Sequence, residues 1–395
     1  MDLAQRAAAL KDYIVQCRRH LHRHPELSFQ EWNTTAFLAD ELRKLGIQVT
    51  TFPDYTGCIG TINPDKKGPT VALRADIDAL PITEDTELSF SSETPGVMHA
   101  CGHDCHTAML LGAARLLQEM ADQLPGRVIL LFQAAEEGFW GSRYYCENGY
   151  LDDAEAILGM HICPDAPLGK LSIENGNRMA SRDNFRIEVQ GRRADSGCPQ
   201  LAQDAIVAAS SCILNLQTTA SRLNDPLNPL VLTVAIIKAG TEAGSIADHA
   251  VMEGTLRTYD PAMRAAVLKQ MRTVVSSSAQ ALGCTAQVNF IADDAGDAVI
   301  NTHPELTALA QGSAVKLYGE EILCHVPANM ASEDFAALMA KVPGLFVFMG
   351  TKDPACDTVW PLHSEHLTVN ESALPTGSAF YAQFAVDYLT QKEAR

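Results

Sequence analysis

The chain has 395 residues, of which 47% are hydrophobic and 20% are charged, and its formal net charge is −18. This is the composition of a folded globular protein, and the length predicts more than one domain. A surface of this sign repels phosphate backbones, which excludes nucleic acid as the expected partner. No apolar run reaches the roughly eighteen residues that a membrane span needs, so no membrane partner is expected either.

The N-terminal segment and the cysteines indicate the cellular compartment in which the protein is expected. The first segment, MDLAQRAAALKDYIVQCRRH, is amphipathic and mixed in charge, and it lacks the apolar core of a signal peptide. Eleven cysteines, an odd number without disulfide-framework spacing, favour reduced thiols in a reducing compartment. Both features predict a cytoplasmic location.

Apolar segments alternate with helical patterns up to about residue 180, which predicts an α/β domain. The segment TVAL begins a strand at Thr70, and TAMLLGAARLLQEMADQL reads as a helix. The next strands are RVILLFQ, before a Glu-Glu pair, and AEAILGMHI, which ends in His161. A further strand, GLFVFMG, lies near residue 350 and precedes PLHSEH by one loop.

From about residue 181 the pattern changes to the order β-α-β-β-α-β, which is typical of a ferredoxin-like unit. Its two helices are the segments QLAQDAIVAASSCILNLQTT and AMRAAVLKQMRTVVSSSAQALG. We therefore predict one α/β domain over residues 1–180 and 294–395, interrupted by an inserted domain over residues 181–293.

Four predicted strands end in, or lead to, acidic or histidine side chains. In open α/β sheets, ligands bind beyond the carboxyl ends of the strands. The stretch GVMHACGHDCHTAML places Cys101 and His103 at such a corner, and both side chain types bind zinc and similar ions. The C-x-H pair alone is a weak signal. A redox pair of Cys101 and Cys105 is the alternative, although the spacing is not C-x-x-C.

Glu136 and Glu137 strengthen the metal hypothesis. Two adjacent carboxylates at the end of a buried strand repel each other unless positive charge lies nearby. With a metal present, one carboxylate can coordinate while the other acts as general base toward a water molecule. The alternative is the solvated start of a loop. His161 and His363 would complete two coordination spheres in one cleft.

Eight segments along the chain carry a family resemblance. They are RRHLHRHPELSFQE (18–31), LRADIDALPI (73–82), MHACGHDCHTAMLLGAA (98–114), LLFQAAEEG (130–138), GMHICPDAPLGKL (159–171), GTLRTYD (254–260), SEDFA (332–336) and PLHSEH (361–366). Together they resemble the M20 metallopeptidase family. Within that family they are similar to the amidohydrolase branch of N-acyl-amino-acid deacylases, hippurate hydrolases and auxin-conjugate hydrolases.

The resemblance implies a zinc-peptidase-like catalytic domain with a central, mostly parallel sheet and two divalent metal ions per subunit. Cys101 would bridge the two ions. Glu137 and His363 would complete one coordination sphere, and His103 and His161 the other. The ions in related enzymes are Zn, Mn, Co or Ni, and a sulfur ligand favours such metals over magnesium.

Two further roles follow from the resemblance. Glu136 would be the general base that activates the bridging water and then protonates the leaving amine. Asp76 would orient a metal ligand, and its alternative role is that of a helix-capping or turn acid. His106 and Asp104 are expected near the ligands or at the helix start.

The inserted domain of the family usually provides dimer contacts and a substrate-covering lid. A family histidine that stabilises the developing oxyanion aligns with Asp195, and Gly244 stands where asparagine is expected. Three explanations stay open: Arg192 or Arg193 supplies the positive charge, Asp195 recognises a polar substrate group, or the lid is remodelled and catalysis is weaker. Arg257 is expected to bind a substrate carboxylate or to form a structural salt bridge.

The resemblance thus implies a metal-dependent amidohydrolase that acts as a homodimer or higher homo-oligomer. Its substrate would be a small N-acyl amino acid or related conjugate, cleaved at the amide bond by a metal-bridging water. One alternative is a dipeptidase or carboxypeptidase of the same family. The other is a metal-binding sensor or assembly protein without catalysis, which Asp195 and Gly244 keep open.

Overall fold

The computed structural model describes residues 2–138, 141–356 and 360–394. Its α-helices are α1 Leu3–Ala9, α2 Lys11–Arg23, α3 Trp32–Lys44, α4 His103–Gln118, α5 Gly141–Glu147, α6 Ala205–Thr218, α7 Pro261–Gln280, α8 Pro304–Tyr318, α9 Phe335–Lys341 and α10 Leu374–Glu393. Its strands are β1 Gln48–Thr51, β2 Cys58–Ile62, β3 Thr70–Asp76, β4 Arg127–Gln133, β5 Ala156–Pro167, β6 Leu171–Ser172, β7 Gly176–Met179, β8 Arg182–Gln190, β9 Ala194–Asp195, β10 Leu230–Ala239, β11 Ser245–Ile246, β12 His249–Thr258, β13 Thr285–Gly296, β14 Val299–Asn301 and β15 Gly344–Lys352. In this described part of the chain, no helix combines the length and the apolar character needed to cross a membrane.

The first of two compact units comprises Met1–Gly176, Ile300–Pro327 and Asp334–Arg395. Its seven-stranded sheet has the order β1-β2-β4-β3-β5-β15-β6. The four central strands, β4, β3, β5 and β15, run parallel, and the outer strands are antiparallel to their neighbours. Parallel strands covered on both faces read as continuous apolar runs, which explains segments such as RVILLFQ. The predicted α/β architecture is confirmed.

Helices α4 and α10 are buried against this sheet along most of their length. They approach each other closely because α10 carries glycine at the contact. A Cβ atom added at Gly377 would lie 2.1 Å from Met109 Sδ. The helix that leads away from the His103 corner is therefore fixed in the core, which gives that corner a rigid support.

Three predicted element boundaries are wrong. The helix predicted from Thr107 begins at His103 and ends at Gln118, because Gly102 adopts the left-handed conformation (φ 86°) and turns the chain into the helix early. The strand predicted to end at His161 continues to Pro167, since β15 pairs with it as far as Pro167 and Lys352.

The second unit comprises Asn177–Val299 and Ala328–Glu333. Its main elements follow the predicted order β8-α6-β10-β12-α7-β13, and the four strands form an antiparallel sheet in the order β10-β12-β8-β13. Buried and partly exposed residues alternate along β8, so one sheet face carries the core. Asp204 and Asp260 cap the N-termini of α6 and α7 by accepting hydrogen bonds from two backbone amides each.

Candidate metal centre

The candidate side chains of the first unit gather at the carboxyl end of its central parallel strands. Asp76 is the last residue of β3, Glu136 and Glu137 follow β4, and His161 lies within β5. His363 lies in the loop between β15 and α10. This is the edge of an open α/β sheet at which ligands bind.

The five predicted ligands fall into two sets that share one residue. The ligand atoms of Cys101, His103 and His161 all lie within 4.8 Å of one another. The same limit holds for Cys101, Glu137 and His363. Cys101 Sγ lies 3.4 Å from His161 Nε2, whose ring is oriented because Nδ1 hydrogen-bonds Ile162 O at 2.7 Å. Cys101 thus belongs to both sets.

His363 reaches the centre from the most exposed position. Its side chain is 53% exposed, and its Nε2 lies 3.4 Å from Glu137 Oε1. The backbone at His363 has a φ of 65°, which is uncommon for a residue other than glycine. Its amide donates a hydrogen bond of 2.7 Å to Ala100 O, directly before Cys101. This bond ties the PLHSEH loop to the loop that carries Cys101.

His103 is oriented by a carboxylate that the sequence analysis did not single out. Its Nδ1 hydrogen-bonds Asp78 Oδ1 at 3.2 Å, which directs Nε2 into the centre. Asp78 Oδ2 also accepts hydrogen bonds from Ser28 Oγ at 2.6 Å and from the Glu137 amide at 2.9 Å. Asp78 therefore positions two predicted ligands at once, in the manner of an outer-shell carboxylate.

Negative charge is concentrated around the His103 ring. Burial acts to lower the pKa of this histidine, but the Asp76 and Asp78 carboxylates outweigh it and raise the pKa to about 10. His103 Nε2 also lies 3.9 Å from Glu136 Oε2 and 4.0 Å from Glu137 Oε1. The centre therefore favours a cation at this nitrogen.

Asp76 hydrogen-bonds a different histidine from those predicted as ligands. Its Oδ1 accepts from His106 Nδ1 at 2.6 Å, while His106 Nε2 accepts from the Ile162 amide at 2.9 Å. Both nitrogens of His106 are thereby used. Asp76 Oδ2 accepts from Arg74 Nη1 at 2.8 Å and lies 3.7 Å from His103 Nε2. Asp76 thus fixes the segment beside His161 rather than capping a helix.

Glu136 is buried, and its Oε1 accepts a hydrogen bond of 3.4 Å from the Asp334 amide. Asp334 is itself held by two residues of the central strands, Arg74 at 3.0 Å and Gln133 at 2.8 Å. Asp334 belongs to the SEDFA motif, for which the sequence predicts no individual role. In the structure Asp334 links the sheet to the predicted general base.

The remaining polar residues of the 96–110 stretch lie in the interior. Asp104 Oδ2 accepts hydrogen bonds from Arg18 Nε and His22 Nδ1, each at 2.8 Å. Although burial opposes it, the charge of Arg18, followed by that of His22, holds the pKa of Asp104 well below its ordinary value. His99 and Cys105 are also buried. Asp104 thus ties the start of α4 to α2.

The predicted substrate residues of the second unit lie in two places. Asp195 and Gly244 are exposed neighbours, since Asp195 pairs with Ser245 across β9 and β11 and the Ser196 amide donates to Gly244 O. The Asp195 carboxylate accepts from the Gly197 amide at 2.8 Å. Arg257 donates to Met330 O at 2.9 Å, so in the described residues it binds a backbone carbonyl and makes no salt bridge.

The residues of the first unit fit a pair of divalent ions. Within the described part of the chain, two buried atoms of the ligand sets, His103 Nε2 and Glu137 Oε1, have no hydrogen-bond partner. Buried polar atoms are rarely left unpaired in proteins. Thiolate, imidazole and carboxylate are together the donors that zinc and similar metals prefer.

Fold and site thus define an α/β protein with two adjoining sets of metal-binding side chains. Residues 72–387 match the model of peptidase family M20/M25/M40, and the chain belongs to that family. The resemblance drawn from the motifs is confirmed.

Three relatives illustrate the range of the family. The chain is 38% identical to an N-acetyl-L-cysteine deacetylase of Bacillus subtilis, covering 98% of this chain and 90% of the relative. It is 36% identical to thermostable carboxypeptidase 1 of Saccharolobus solfataricus, covering 98% and 99%. The crystal structure of a Bacillus subtilis dinuclear metal-binding peptidase from the M20 family superposes with a TM-score of 0.84 at 37% identity, covering 97% and 99%.

Proposed function

We propose that the chain is a binuclear metal-dependent amidohydrolase that cleaves the amide bond of a small N-acyl amino acid or related conjugate. The observation that carries the proposal is the presence of Cys101 in both ligand sets, because a thiolate between two sets can bridge two ions. Similarity to the N-acetyl-L-cysteine deacetylase supports the substrate class.

Cys101, Glu137 and His363 would hold one ion, and Cys101, His103 and His161 the other. When bound, divalent ions supply a Lewis acid for the scissile carbonyl and lower the pKa of water. The ions would be Zn, Mn, Co or Ni, since a thiolate favours borderline-soft metals.

The proton transfers are assigned to Glu136. Its Oε1 is held by the Asp334 amide, and its Oε2 points toward His103 Nε2. We assign Oε2 as the atom that takes a proton from the attacking water while the oxygen–carbon bond forms. The same carboxyl group then gives this proton to the leaving nitrogen as the carbon–nitrogen bond breaks, which yields a carboxylic acid and an amine.

Carboxypeptidase or dipeptidase activity is the second candidate, and the similarity to a carboxypeptidase favours it. The same side chains would perform the same bond cleavage, so the two candidates differ only in the substrate. Activity of the metal-reconstituted protein on N-acyl amino acids, compared with dipeptides, separates them. A non-catalytic sensor is the third reading, and the buried Glu136 beside the ligand sets argues against it.

We further propose that the second unit is a lid and dimer-forming domain. Helix α6 exposes Ile206, Val207 and Leu214, the last with 72% of its surface accessible. Strand β10, an edge strand of its sheet, exposes Ile236 and Ile237. An apolar surface beside an open strand edge is typical of a protein–protein interface.

Replacing Leu214 by glutamate should convert a dimer into single chains, because it places a charge in the proposed apolar contact. Light scattering coupled to size exclusion measures the mass. Gln280→Glu, a charge added at the end of α7, is the control and should leave the mass unchanged. A wild-type mass of one chain would contradict the proposed dimer.

Replacing Cys101 by alanine should remove the bound metal and the amidase activity together, since both sets lose a ligand. Metal analysis after dialysis gives the number of ions per chain. Cys58→Ala is the matched control, because Cys58 is a buried cysteine of β2 outside both sets. Unchanged metal stoichiometry in Cys101→Ala would count against a bridging thiolate.

Replacing Glu136 by glutamine should lower kcat by about 10²- to 10⁴-fold, because the amide cannot accept the proton from water. The metal content should stay near that of the wild type. Glu119→Gln, which affects a carboxylate paired with Arg6, is the control and should keep full activity. Wild-type turnover in Glu136→Gln would refute the assignment of the base.

Replacing Asp195 by histidine tests whether this position sets the substrate. If the native substrate differs from simple N-acetyl or N-benzoyl amino acids, kcat/KM on those compounds should rise. Asp195→Asn is the control, since its side-chain oxygen can still accept from the Gly197 amide while the charge is removed. A loss of activity in both variants would instead show that the Asp195 carboxylate itself serves recognition or catalysis.

A further inference from the structure

Glu31 is a buried carboxylate at the start of α3, and both of its oxygens are hydrogen-bonded. Oε1 accepts from the Ala135 amide at 2.8 Å, and Oε2 accepts from Thr56 Oγ1 at 2.6 Å. Within the described residues, no ion pair joins Glu31 to a cation. Burial, followed by repulsion from Asp78, raises the pKa of Glu31 to about 7. Keeping this group in the interior is therefore costly.

The partner of Glu31 is a residue in a strained conformation. Ala135 has a φ of 56°, in the left-handed region that side chains other than glycine seldom occupy. Its carbonyl accepts from the Gly141 amide at 3.2 Å, and the preceding Ala134 amide donates to Tyr145 Oη at 3.2 Å. Strained residues of this kind persist only where the surrounding structure holds them.

The position of this strain in the chain connects it to the metal centre. Ala135 is the second residue after the end of β4, and Glu136 and Glu137 follow it directly. A change of φ at Ala135 would rotate everything after it, and so would move the oxygens of both glutamates. Displacements of about 1 Å at reacting groups can cost about 10²-fold in rate.

We propose that Glu31 is a positioning residue that holds the Ala135 peptide in its left-handed conformation and thereby aims Glu136 and Glu137. The proposal rests on the proposed function of these two glutamates. Glu31 acts through the backbone and touches neither substrate nor metal. Its carboxylate supplies the hydrogen-bond acceptor for the buried Ala135 amide.

The test compares Glu31→Ala with Glu31→Gln and Thr56→Val. Glu31→Ala should lower kcat by about 10²-fold with a smaller change in KM, and should weaken Zn²⁺ binding by about 10-fold, since Glu137 is displaced. Glu31→Gln keeps an acceptor oxygen for the Ala135 amide, so its kcat should stay within about fivefold of wild type. Thr56→Val removes the other partner of the carboxylate and should lower Tm without the loss of kcat.

A second substitution separates positioning from general stability. Glycine adopts a positive φ without steric cost, so adding Ala135→Gly to Glu31→Ala should recover kcat by about fivefold without restoring Tm. If Glu31→Ala does not fold, Glu31→Asp, whose shorter side chain cannot span both partners, replaces it in the same comparison.

Each outcome decides the proposal. The proposal would be overturned if Glu31→Ala bound Zn²⁺ as tightly as the wild type and if kcat fell in proportion to Tm in both Glu31→Ala and Thr56→Val. A Glu31→Gln variant as impaired as Glu31→Ala would also overturn it. If the wild-type chain hydrolyses none of the amides tested, the proposed function fails, while the Zn²⁺ affinities still decide the role of Glu31.

Discussion

The crowding of carboxylates around one imidazole is the constraint on which the rest of the centre depends. Asp76, Asp78, Glu136 and Glu137 each place an oxygen within 4.0 Å of a ring nitrogen of His103. In a buried site such charges repel strongly unless cations lie among them. A proton on His103 offsets one charge, which its raised pKa reflects, and divalent ions would offset more. The side chains are thus arranged for cations before any substrate arrives.

A rigid frame is needed to hold repelling groups together, and the parallel sheet supplies it. Four adjacent strands deliver acids and histidines to one edge, and α4 is locked behind them by its packing on α10. The frame also sustains left-handed conformations at Ala135 and His363. His363 belongs to one ligand set, and Ala135 lies two residues before the ligand Glu137. Such conformations cost of order 1–3 kcal/mol each and concentrate at functional sites. The stable sheet therefore keeps the side chains at its edge in a defined geometry.

From the sequence we predicted a set of metal ligands and a general base, but not the residues that orient them. Their positions at strand ends made Cys101, His161 and Glu137 candidates, and the family resemblance implied their roles as ligands. The structure brings the predicted ligands together, and their binding of metal stays a prediction. Asp78 was missed because a single aspartate after a strand looks like any turn acid. Only the packing of α4 on β3 brings His103 close to Asp78.

Boundaries were missed for a similar reason. Strand β5 extends beyond His161 because β15 continues to pair with it. The sequence of one strand does not show how far the adjacent strand pairs with it. Glu31 likewise lies in a polar stretch before a helix, where a capping role is the ordinary expectation. Its actual partner is the Ala135 amide on a distant segment. Contacts between a side chain and a remote backbone leave no periodic signal in the sequence.

The two predicted departures from the family pattern lie close together in the second unit. Asp195 and Gly244 sit side by side on the β9–β11 pair, where Asp195 closes its own turn. A Cβ atom at Gly244 would meet nothing within 4 Å, so neither backbone conformation nor crowding demands glycine there. Both positions belong to the second unit, whereas both ligand sets lie wholly in the first. Changes at the β9–β11 pair therefore leave the ligand sets of the first unit in place. The predicted ligands and Glu136 lie together in the first unit, apart from both of these positions in the chain.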